Sequence, residues 1–148
     1  MELKNRPQSL LFSLVIIPLG GCLALGLCYL LFLLLINFVE STWFPTDPLA
    51  MPVDVIRRTY TIVLLVLLGI LLRTRLSDLF KAAILIGPVG IFLTTLILAF
   101  YQYPVAAAAI LAVLGAAIIF LLYRLKKPWM YYYAVAIVLI VSIALAWP

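Results

Sequence analysis

Long stretches of apolar residues without a charged side chain constrain this chain more than any other feature. The longest runs from Leu10 to Val39, well beyond the roughly 20 residues that a helix needs to cross the hydrocarbon core of a bilayer. Of the 148 residues, 68% are apolar and 10% are charged, against roughly 45–50% and 25% in soluble domains. No water-soluble fold of this size can bury so much apolar surface, so the sequence predicts an integral membrane protein.

The apolar runs predict an all-α fold, a polytopic transmembrane bundle of about five helices in a single domain, residues 1–148. The runs are long and uncharged rather than amphipathic, so most of the chain does not require a choice between a buried helix and a strand. The predicted helices cover residues 10–39, 53–72, 82–100, 105–123 and 131–147, and residues 40–52 form an external loop. A four-helix alternative would discard the last run, which is near the lower length limit for spanning but otherwise unbroken.

The basic residues predict the orientation of the bundle. The chain carries 10 Lys and Arg against 5 Asp and Glu. Eight of those ten basic residues fall in the N-terminal segment, in the turn between the second and third predicted helices, and in the turn between the fourth and fifth. Basic loops stay on the cytoplasmic side, so we predict that the N-terminus lies in the cytoplasm and the C-terminus outside. The predicted location of the whole chain is the plasma (inner) membrane. A nucleic-acid partner is not expected, because that would need a soluble basic face with aromatic residues.

The first helix is longer than a bilayer requires. At about 1.5 Å per residue, residues 10–39 would extend for about 45 Å, beyond the hydrocarbon core of about 30 Å. Pro18 predicts a kink, because it cannot donate to the carbonyl of Leu14, and Pro88 predicts another in the third helix. The surrounding motifs, PLGG at residues 18–21 and GPVG at residues 87–90, are either a weak internal repeat or ordinary membrane-helix composition.

The second helix has the opposite problem. The uncharged run of residues 59–72 covers only about 21 Å, so the helix must extend back to Val53, after Pro52. That extension brings Asp54, Arg57 and Arg58 into the outer membrane boundary, with the arginines about 6–8 Å below the helix end. Asp54 precedes them by three and four residues, the spacing at which helical side chains pair.

Two interpretations of these charges remain open. In the first, Arg57 and Arg58 extend to the phosphates of the outer leaflet, as long basic side chains near an interface do. In the second, they face a protein-lined cavity together with Asp54 and hold an anion, a lipid head group or a partner's carboxylate. These three residues are the candidate contact site of the chain.

Small side chains predict where helices pack. In lipid, helices associate chiefly through close approach at such residues, and the fourth helix carries a small-residue stripe: Ala108, Ala112, Gly115 and Ala116. We predict that this stripe is a seam against another helix, in the same chain or in a partner. The competing interpretation is an alanine-rich helix with no special neighbour. Gly20 and Ala24 form a weaker version in the first helix.

The residues that carry chemistry are scarce. The chain has no His, and no acid interrupts the centre of an apolar run, so neither a metal site nor proton-coupled transport has its usual ligands or carrier. Cys22 and Cys28 are six residues apart on one helix and cannot bridge each other. Thr94, Thr95 and Ser142 can each bond back to their own helix. No cofactor, no metal and no catalytic residue is expected.

These observations predict a non-catalytic membrane subunit that packs in or stabilises a larger membrane complex. The alternative is a small transporter or channel that works as an oligomer, with Arg57 and Arg58 selecting an anionic or lipid-like substrate. An enzyme acting on a lipid phosphate ranks third, because no general base accompanies the arginines. The expected partners are the lipid bilayer and another membrane protein or copies of the chain itself.

Overall fold

The computed structural model describes residues 6–146, and side chains for residues 10–47 and 49–145. The predicted all-helical architecture of five helices is confirmed for this part of the chain. The helices are α1 (Arg6–Trp43), α2 (Val53–Arg73), α3 (Asp78–Ala99), α4 (Pro104–Arg124) and α5 (Trp129–Ala146), with a short 3-10 turn at Pro48–Ala50. The first four are long and apolar enough to cross a membrane, and α5 is shorter, at 18 residues.

Three helix ends lie four residues beyond the sequence prediction. α1 begins at Arg6 rather than at residue 10. α1 continues to Trp43 rather than to residue 39, because Pro45 is the first residue beyond it that disfavours helix, and it pushes Phe44 out of the helical region. α3 begins at Asp78 rather than at residue 82. An acid in the first turn suits the positive end of the helix dipole, so the polar turn joins α3 instead of ending before it.

α3 is the central helix of the bundle. α1, α2 and α5 all pack against it, and α4 packs mainly on α5. Nearly every α3 side chain from Lys81 to Leu93 is buried, whereas α1 and α2 expose most of theirs. We call the end of the bundle with residues 44–52 the loop end, and the end with the α2–α3 and α4–α5 turns the basic end.

α1 and α3 run in parallel and cross at small residues. A β-carbon added to Gly87 would lie 3.0 Å from the backbone of Ala24, and one added to Gly20 would lie 3.1 Å from the β-carbon of Ala83. Gly21 likewise faces the side chain of Ile86. The PLGG and GPVG motifs therefore both lie in the central interface, but each packs on residues of the other helix outside the other motif. Both helices continue without interruption through their prolines.

The turn between α4 and α5 has an unusual backbone. Lys126 adopts a positive φ of 50°, the left-handed conformation that glycine usually supplies after a helix. The amide of Lys127 donates to the carbonyl of Leu122 at 3.1 Å, and the amide of Lys126 donates to Tyr123 at 3.1 Å. This pair of bonds is a Schellman motif that closes the end of α4.

Candidate functional site

The charged residues at the start of α2 separate into a pair and a free cation. A guanidinium nitrogen of Arg57 lies 2.6 Å from a carboxylate oxygen of Asp54. The Asp54 side chain is 72% exposed and that of Arg57 is 24% exposed. Arg58 is exposed and has no ion pair with any residue that the structure describes. The predicted spacing thus pairs Asp54 with Arg57 and leaves Arg58 without an ion-pair partner in the part of the chain that the structure describes.

A hydroxyl pair lies one turn deeper and joins α2 to α3. The Thr61 hydroxyl donates to the carbonyl of Arg57 at 2.8 Å and lies 3.3 Å from the hydroxyl of Thr95. Thr94 bonds back to the carbonyl of Gly90 within its own helix, as the sequence allows, whereas Thr95 turns to its neighbour. Sequence reasoning missed Thr61, although its spacing of four residues from Arg57 was visible.

An open-sided groove between α2 and α3 begins at Arg58. It encloses about 280 Å³. Its walls are Arg58, Thr61, Ile62 and Leu65 of α2, and Phe92, Thr95, Leu96 and Ala99 of α3. Since the two helices are antiparallel, Ala99 lies at the same end of the groove as Arg58, at the loop end of the bundle. The groove brings together one cation, two hydroxyls and an otherwise apolar lining.

The small residues of α4 face two directions. Three alanines of the predicted seam are exposed: Ala108, Ala112 and Ala116. The buried face is displaced by one position and includes Ala107, Leu111 and Gly115, and a β-carbon added to Gly115 would lie 3.5 Å from Leu139 of α5. Within the described chain, α5 therefore covers Gly115 but leaves the three alanines free, so a seam against a partner stays a prediction.

Two of the exposed alanines, Ala108 and Ala112, border a shallow groove of their own. It encloses about 330 Å³ between α4 and α5 and is lined by Ala108, Leu111, Ala112, Leu139 and Ile143. Small side chains on one wall and branched apolar side chains on the other leave a depression into which a helix can pack closely.

Polar contacts at the basic end hold three helices together. The Lys81 ammonium is buried and donates to the carbonyl of Leu72 at 3.1 Å, one of the last carbonyls of α2, which have no donor within the helix. The buried Tyr131 hydroxyl donates to Asp78 at 3.0 Å, joining α5 to α3. Lys127 lies over the Tyr131 ring at 5.4 Å. Sequence reasoning missed this role, because the predicted third helix begins at residue 82, one position after Lys81.

Groups that carry chemistry do not cluster in residues 6–146. No three His, Cys, Asp or Glu side chains of that range come together as metal ligands do, and both cysteines are free thiols. Ser142 is buried, and its hydroxyl has no hydrogen-bond partner among the described residues. The side chains described above can form ion pairs, pack against other helices and contact lipid.

Comparison with protein-family models, with curated proteins and with solved structures finds no match to this chain. Its function is therefore inferred from its own residues.

Proposed function

We propose that this chain is a non-catalytic integral membrane subunit that packs against a helix of another membrane protein through α4. The observation that carries the proposal is the exposure of Ala108, Ala112 and Ala116, the first two of which line the groove between α4 and α5. Apolar surface alone does not bring helices together in lipid, so a face of small residues is where close packing gives the largest gain.

The central interface of the same chain supports this interpretation. α1 brings Gly20, Ala24 and Cys28 to α3 at intervals of four residues, and they meet Ala83 and Gly87. The alanines of α4 repeat at the same interval. A pattern that packs one helix pair inside the chain thus recurs on a face that the described residues leave uncovered.

Partner identity separates this proposal from the alternative. A different polypeptide on α4 means a subunit of a larger complex. A second copy of the chain means a homo-oligomer, which suits the alternative of a small transporter or channel, since five helices alone seldom enclose a pathway.

The test compares two phenylalanine substitutions on α4. Ala112→Phe fills the stripe, whereas Ala117→Phe, about 140° around the helix and also exposed, does not. The tagged chain is purified from its native membranes in mild detergent, and its mass and composition are measured. We expect a second polypeptide in fixed stoichiometry with the wild type and with Ala117→Phe, and its loss with Ala112→Phe.

Two outcomes would contradict the proposal. One is a homo-oligomer that Ala112→Phe dissociates, which transfers support to the oligomeric transporter or channel. The other is co-purification that both variants leave unchanged, which removes α4 as the interface.

A further inference from the structure

We propose that the groove between α2 and α3 binds one phospholipid with a net negative head group. Its phosphate lies against Arg58, and one acyl chain lies along the groove. This site is on a different face from the α4 stripe and does not depend on the subunit proposal.

The first step is the charge at the top of the groove. Asp54 neutralises Arg57 through their 2.6 Å pair, while Arg58 lines the groove and makes no ion pair with another described residue. A guanidinium presents donors in a planar fork that matches phosphate oxygens, and bonds between such charged groups are stronger than neutral ones. The groove therefore begins at one cation that has no anionic partner among the described residues.

The second step is depth. Arg58 lies five residues after Val53, the first residue of α2, which is about 8 Å by helical rise. Across the groove, Ala99 is the last residue of α3, and the exposed Tyr101 and Tyr103 follow it. Tyrosines collect at the membrane–water interface. Arg58 therefore lies close to the head-group level of the leaflet at the loop end, where phosphates are found.

The third step is the lining below the cation. From residue 58 to residue 65 the groove descends about 10 Å along Ile62, Leu65, Phe92 and Leu96. The hydroxyls of the threonine pair lie 3.3 Å apart and one of them also donates to the Arg57 carbonyl, so they satisfy each other. Such walls suit a hydrocarbon chain and offer few partners to a polar solute.

The fourth step is size. The groove encloses about 280 Å³, and its apolar walls give a single hydrocarbon chain room to lie along it. A cation above an apolar groove is complementary to an anionic phospholipid, which carries its phosphate directly above its acyl chains.

Native mass spectrometry of the full chain in detergent tests the site. The chain is titrated with phosphatidylglycerol and with phosphatidylcholine of the same acyl chains. We expect a preference of about fivefold for phosphatidylglycerol, as one basic residue near a membrane surface contributes. Arg58→Gln should abolish that preference, whereas Arg75→Gln, an exposed arginine at the basic end, should preserve it.

A second variant tests the acyl chain. Ala99→Phe places a ring at the top of the groove and should weaken binding of both lipids severalfold, whereas Ala136→Phe, on an exposed position of α5, should weaken neither. The proposal is overturned if Arg58→Gln retains the preference, if Ala99→Phe binds both lipids as the wild type does, or if soluble glycerol phosphate binds as tightly as phosphatidylglycerol. The last result would assign the arginine to a free anion.

Discussion

The hydroxyl of Tyr133 donates a 3.2 Å hydrogen bond to the carbonyl of Leu14, the acceptor that Pro18 leaves without its helical donor. Proline has no N–H and cannot bond the carbonyl four residues before it. In lipid no water replaces that bond, so neighbouring helices must supply a donor. Tyr133 of α5 thus supplies the hydrogen-bond donor that Pro18 of α1 lacks, although the two residues are 115 positions apart in the sequence.

Tyr133→Phe should therefore lower the free energy of unfolding in detergent by about 1 kcal/mol, because the Leu14 carbonyl loses its donor. In a Pro18→Ala background the amide at position 18 can serve that carbonyl, so the same substitution should have a much smaller effect. The coupling is measured by a double-mutant cycle. Additive effects of the two substitutions would contradict the match, and Tyr132→Phe is the control.

Gly87→Ala should destabilise the bundle by about 1–3 kcal/mol, the usual range for overpacking. Its β-carbon would lie 3.0 Å from the backbone of Ala24, which cannot move aside as a flexible side chain would. Gly69→Ala is the matched control, because apart from the adjoining backbone of its own helix no described atom lies within 4 Å of its β-carbon position. It should gain about 0.5–1 kcal/mol from helix propensity. Thermal unfolding in detergent measures both, and equal changes in the two variants would refute the close α1–α3 crossing.

Lys81→Met should lower stability by about 1–2 kcal/mol, because the carbonyl of Leu72 loses its buried donor and the negative end of the α2 dipole loses a nearby cation. Arg75→Met, which removes an exposed cation at the same end, should change stability by less than about 0.5 kcal/mol. Chemical denaturation of the two variants distinguishes a buried cap from a loop charge. Indistinguishable midpoints would support the loop charge.

Lys126→Gly should raise stability by about 0.5–1 kcal/mol, because glycine adopts the positive φ of 50° without the steric penalty that a side chain meets. Lys126→Ala, which removes the same charge but keeps a β-carbon at the positive φ, should not stabilise. Both variants remove one positive charge and leave Lys127 over the Tyr131 ring, so a difference in melting temperature reports backbone conformation. A destabilised Lys126→Gly would count against the Schellman turn.

Much of the fold could be read from the residues. A transmembrane helix must supply its own backbone hydrogen bonds and a minimum length, so uncharged runs predict helices directly. The same length argument extended α2 back to Val53, where the structure begins it. Orientation relative to the cytoplasm stays a prediction based on the basic loops.

The candidate site was predicted less completely. The spacing of Asp54, Arg57 and Arg58 allowed either arginine to pair, and only the packed structure assigns the carboxylate to Arg57. The groove below Arg58 depends on Phe92 and Leu96 of α3, residues that no local pattern links to α2. Contacts of this kind depend on how each helix is oriented about its own axis relative to its neighbour.

By itself the sequence determined that the chain is a bundle of about five helices built for lipid, because hydropathy and span length act along one segment at a time. Only the tertiary structure decided that α3 is the centre, that Lys81 caps α2, and that the alanines of α4 remain uncovered. Those outcomes depend on which helix faces contact each other. When a helix is apolar on all sides, its sequence says little about which face will contact a neighbouring helix. Small residues and paired polar groups supply that information once the helices pack.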